Sequence, residues 1–178
     1  MAPLENAYND IFFIHLISMQ ENINTFFNEI RTGNIEAVKE LVTEFPDLVN
    51  SVDQRGSTPL ILATYYDQRE MANFLLNQGA KIDAKDASGN TALMGTSFKG
   101  LVQLAVVLIS RGANVNVRNA LGATCLIYTA TFNRKELAEL LLEHGADTTV
   151  KDAGGNTALD HAQKQGFSDL ITLLEKNG

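Results

Sequence analysis

Asp53-Gln54-Arg55-Gly56-Ser57-Thr58-Pro59-Leu60 carries the signals of a tight turn running into a helix. Gly56 offers the positive φ that a tight turn needs. Thr58 is placed to cap a helix, and Pro59 suits the first helical position. Leu60 and Ala63 open the buried face of a short helix. Met71, Phe74 and Leu75 follow at helical spacing on a second one. Gly79 closes that helix, Ala80 permits close packing, and Ile82 turns inward before the next turn.

The same grammar returns every 33 residues. Gly56, Gly89, Gly122 and Gly155 keep that interval, as do Thr58, Thr91, Thr124 and Thr157, and Leu60, Leu93, Leu126 and Leu159. Gly79, Gly112 and Gly145 form a further series, each followed by alanine. The second helices repeat their apolar face with Leu104, Val107 and Leu108, then Leu137, Leu140 and Leu141, then Leu170, Leu173 and Leu174. Helix pairs this small cannot hide their apolar sides alone, so neighbours must stack into a continuous core. An irregular copy precedes them: Thr32-Gly33-Asn34 breaks two helices, and Ile35, Val38, Leu41 and Val42 line the second.

The pattern resembles the ankyrin repeat over residues 21–178, about five repeats. The expected fold is an all-α ankyrin-repeat solenoid of helix–turn–helix pairs with short β-turn tips. The expected divisions are 1–20 as an extension or extra helix, 21–52 as a degenerate N-terminal cap, 53–85, 86–118 and 119–151 as repeats, and 152–178 as the C-terminal cap. Two features of the family pattern are lost. Ile61, Met94, Ile127 and Asp160 stand where it usually has His, and its Pro survives only at Pro59. These losses are expected to weaken the turn's hydrogen bonding and the helix starts.

Composition narrows the function. The 178 residues carry a net charge of −7, with 45% hydrophobic and 20% charged residues, a globular balance. The acidic total argues against a nucleic-acid binder. Its distribution is uneven: residues 1–53 hold nine acids and two bases, whereas 54–178 hold twelve of each. The single cysteine, Cys125, cannot form an internal disulfide and reads as a packed residue. The apolar run at 11–19 is too short to span a membrane and lacks the basic flank of a secretory signal. It is expected to pack on the end of the domain.

Little in the chain suggests catalysis. His144 sits at a helix end, where it can meet the last carbonyls. Asp160 and His161 are helix neighbours that point apart. No metal-binding pattern of Cys and His and no phosphate loop is present. The expectation is therefore a non-enzyme with no cofactor, no metal and no catalytic residue.

The resemblance implies protein binding through a concave face of turn tips and inner helices. In register, that face would carry Tyr65, Tyr66, Phe98, Lys99 and Phe132, with Arg55 and Leu121 at the tips. Lys85, Arg118 and Lys151 form a basic row, 33 residues apart. Tyr, Phe and Arg are frequent hot-spot residues, and the bases suit a partner with an acidic surface. A second interface is suggested by Leu101, Val102 and Val106, apolar where the adjacent repeats are polar. The expected partner is another protein, not nucleic acid or a membrane, and a homodimer is not favoured. Cytoplasmic residence is expected, with secretion by a route needing no such signal left open. An exported bacterial effector or an accessory subunit of an enzyme stands as the alternative.

Overall fold

The computed structural model describes residues 19–178. The expectation for the apolar run falls largely on residues outside that range. Among the described residues the regular structure is helical, with no strand. Helix α1 comprises the helical residues 19–32 and hides Phe26, Phe27 and Ile30. It leads into α2 (Ile35–Glu44), which Asn34 caps. Pro46 then starts a 3₁₀ turn, Pro46–Asn50, in place of a closing glycine.

Four helix pairs follow: α3 (Pro59–Tyr65) with α4 (Arg69–Asn77), α5 (Ala92–Lys99) with α6 (Val102–Ser110), α7 (Cys125–Thr131) with α8 (Lys135–Glu143), and α9 (Ala158–Gln165) with α10 (Ser168–Lys176). The first helices stack on one another in order, α3 on α5, α5 on α7 and α7 on α9. The core runs along this stack as one cluster, from Phe26 to Leu174. Its inner rows are Leu60, Leu93 and Leu126 from the first helices and Leu75, Leu108 and Leu141 from the second, all buried.

The helix starts are firmer than the lost Pro and His suggest. Thr58, Thr91, Thr124 and Thr157 each accept the amide of the residue three positions on, at 3.2–3.4 Å. A threonine cap needs neither Pro at the next position nor His at the third. In the last pair Asp160 goes further. Its carboxylate accepts from the amide and hydroxyl of Thr157, completing a capping box.

Each turn is held by one side chain that the sequence reading passed over. Asp53, Asp86, Asn119 and Asp152, again 33 apart, accept two backbone amides each through Oδ1, those of residues two and four positions later. This is the local bonding that makes Asp and Asn turn formers. Gly89 shows why the tip also needs glycine. Its φ is +79°, and a Cβ there would lie 2.8 Å from the amide of Ala120. That amide donates to Ser88 O, joining one tip to the next.

Candidate functional site

The stacking of α3, α5, α7 and α9 places their exposed sides and the turn tips on one face. Tyr65, Phe98 and Phe132 lie at or next to the C-terminal ends of these helices, and all remain exposed despite their size. The structure joins two of them to a residue that the sequence reading missed, Tyr128. Phe98 meets Phe132 edge-to-face at 4.6 Å and Tyr128 at 6.5 Å, while Tyr128 and Phe132 stack at 6.3 Å. The signal was available: Tyr128 precedes Phe132 by four, one helical turn on the same face.

Tyr128 is also anchored at its hydroxyl. It donates to Asn90 Oδ1 at 3.1 Å and accepts from Asn119 Nδ2 at 3.1 Å, and Asn119 Nδ2 also donates to Asn90 Oδ1 at 2.9 Å. Burial pushes the Tyr128 hydroxyl above its ordinary pKa. The ring therefore stands fixed between two turns. On one side lies a cleft of about 290 Å³ bordered by Tyr65, Asp86, Met94, Gly95 and Phe98. On the other lies one of about 300 Å³ bordered by Leu121, Ile127, Phe132, Asp152 and His161.

The remaining predicted residues divide. Tyr65 and Tyr66 pack edge-to-face at 5.3 Å. Lys99 reaches back over the Tyr65 ring, its Nζ 4.3 Å from the centroid, and donates to Tyr65 O. Its ammonium thus ties two successive pairs together beside the aromatic group. Arg55 is exposed at its turn, and Leu121 is the most exposed large apolar side chain among the described residues, at 68%.

The basic row has a structural task that spacing alone did not reveal. Lys85 Nζ donates to Arg118 O at 2.9 Å, and Arg118 Nη2 donates to Lys151 O at 2.7 Å. Each base grips the backbone of the next base along. Arg118 Nε adds a 3.2 Å bond to Gly122 O. Lys151 is exposed at the end of the row.

The second predicted interface contracts. Leu101 and Val102 are half-buried and pack against the core. Of the three residues, Val106 alone is exposed, at 43%. The reason is geometric: Leu101 caps α6 and Val102 opens it, where the helix enters the stack.

The other candidates are structural. Cys125 is buried, and burial pushes its thiol up to about 12, which leaves it protonated. His144 Nδ1 bonds to Leu140 O at 2.8 Å, at the helix end where it was expected. His161 turns away from Asp160 and bonds Asp152 Oδ2 at 2.7 Å, bracing the turn. Among the described residues no cluster of His, Cys, Asp and Glu could hold a metal ion, and no helix is long and apolar enough to cross a membrane.

Comparisons with known proteins bear on the repeat itself. Over 60 residues the chain is 35% identical to the ankyrin repeat and SAM domain-containing protein 6 of Rattus norvegicus and to that of Mus musculus. The matched stretch covers 34% of this chain but 7% of either relative. The family model described as ankyrin repeats (3 copies) matches residues 23–119 and again 93–178. Two overlapping matches thus run through the whole stack of turns and helix pairs, and the chain belongs to the ankyrin-repeat family, whose repeats are generally protein–protein interaction modules.

Proposed function

We propose that this chain is a non-catalytic binding module that holds another protein against the face formed by its inner helices and turn tips. The observation that carries this is the aromatic group Phe98, Tyr128 and Phe132, exposed in part yet locked ring against ring and to two turns. Large rigid side chains contribute contact area while losing little conformational freedom on binding.

Charge supports a partner with an acidic surface. Asp53, Asp86 and Asp152 direct their carboxylates into the turns, where backbone amides bond them. Lys85, Arg118 and Lys151 keep to the outside, exposed. The outward charge of this face is thus more positive than the net charge of the chain implies. An adaptor, an inhibitor or a stabilising partner in the cytoplasm would all use such a surface.

The test is affinity capture from native lysate with mass spectrometry, using the wild-type chain and a variant carrying Tyr65→Ala, Phe98→Ala and Phe132→Ala. Loss of a single abundant partner from the variant is the expected result. Full retention of every captured partner by a folded variant would overturn the assignment of the face.

A further inference from the structure

Leu62, Gly95, Tyr128 and His161 occupy one register position on the four inner helices. Three carry large side chains and Gly95 carries none. The backbone does not ask for glycine there: Gly95 lies inside α5 and is absent from the residues with positive φ. Packing does not ask for it either. Beyond its chain neighbours and its own helix backbone, a Cβ at Gly95 would meet no atom within 4 Å. Glycine is disfavoured inside a helix relative to alanine, so the position departs from the locally best residue without a compensating contact.

What the missing side chain leaves is the cleft of about 290 Å³ between Tyr65, Met94, Phe98 and Tyr128. Its walls are mostly apolar, and a base stands beside it. Lys99 stands over the ring of Tyr65, which borders the cleft, while Lys85, at the neighbouring turn, holds Arg118 O. The nearest carboxylate, Asp86, accepts the amides of Ser88 and Asn90 and is directed to them. We infer that the Gly95 cleft receives one large apolar side chain, Leu, Met or Phe, from an acidic peptide segment of a partner, whose carboxylates meet Lys99. The inference rests on the binding face proposed above and adds the chemistry of its occupant.

A random-peptide display library selected against the intact chain tests it. The expected winners place Asp or Glu beside a Leu, Met or Phe. Changing that apolar residue to Ala, or Gly95→Leu in the chain, should each weaken binding by about tenfold or more. Gly95→Ala should weaken it less while raising the melting temperature by about 1–4 °C, opposite movements that a structural glycine would not give. Selected peptides that bind Phe98→Ala/Phe132→Ala unchanged would overturn the choice of face itself. Peptides lost by that double variant but retained by Gly95→Leu would leave the face standing and overturn the cleft. Basic winners, or none, overturn the proposed occupant.

Discussion

Asp152 shows how much one turn residue carries. It accepts two backbone amides through Oδ1 and bonds His161 through Oδ2. The amide of Asn156 and then the His161 ring hold its carboxyl below the usual value of 3.8. A folded pKa below the unfolded one stabilises fully above about pH 4, and the contribution is lost as pH falls through the folded value. Asn119, in register one repeat earlier, shows that an amide oxygen serves the turn as well. Asp152→Asn is therefore expected to cost less than about 1 kcal/mol at pH 6, and Asp152→Ala about 1–2 kcal/mol. In melts from pH 6 to pH 2, the Asn variant should also lose less stability than the wild type. Equal acid losses in the two proteins would show that Asp152 takes no part. Asn119 could not be Asp in turn, because its Nδ2 supplies the bonds to Asn90 and Tyr128.

Between elements, the repeat interval is written in hydrogen bonds as well as in apolar packing. Asn50, Asp83 and Asn116 each reach the next helix end: Asn50 to Gly79 O and Lys81 N, Asp83 to Asn114 N, and Asn116 to Gly145 O and Asp147 N. Lys85 and Arg118 do the same at the tips. Their 33-residue spacing was legible in the sequence, but it could not say whether the donors faced a partner or the neighbouring turn. Arg118→Ala is expected to cost about 0.5–1.5 kcal/mol in urea unfolding, since it removes bonds to two carbonyls. Lys151→Ala, at an exposed site, should stay within about 0.5 kcal/mol. Similar costs for both would mean that the Arg118 bonds contribute nothing. Lys151→Glu is consequently the cleaner probe of an acidic partner, because it reverses charge without removing a clamp.

Across the whole molecule, stability should follow position in the stack. A repeat array behaves as a chain of units coupled to nearest neighbours. Helices α5 and α7 are packed on both sides by other inner helices, whereas α9 has one such neighbour among the described residues. Amides of α5 and α7 are expected to exchange with deuterium most slowly, and those of α9 and α10 fastest among the four pairs. Exchange at one uniform rate in all four would indicate a single cooperative unit instead. Charge is also distributed at this scale. Nine of the acids lie in residues 1–53 and the remaining residues balance, so the acidic total says little about the face carrying Phe98 and Tyr128.

The helix pairs, their caps and their order are legible in the sequence, because each repeat states the same local signals. Threonine caps, closing glycines and the apolar period of the second helices all act within a few residues of themselves. It also marked the aromatics Tyr65, Phe98 and Phe132, since these recur near the ends of the first helices. Contacts between units arise instead from the assembled stack. Tyr128 acquires its partners from two different turns, Lys85 and Arg118 find carbonyls 33 residues away, and Leu101 and Val102 are covered by the stack they enter. The cleft at Gly95 belongs to the same class. A glycine inside a helix is visible in the sequence, but the space above it exists only once the flanking helices are in place.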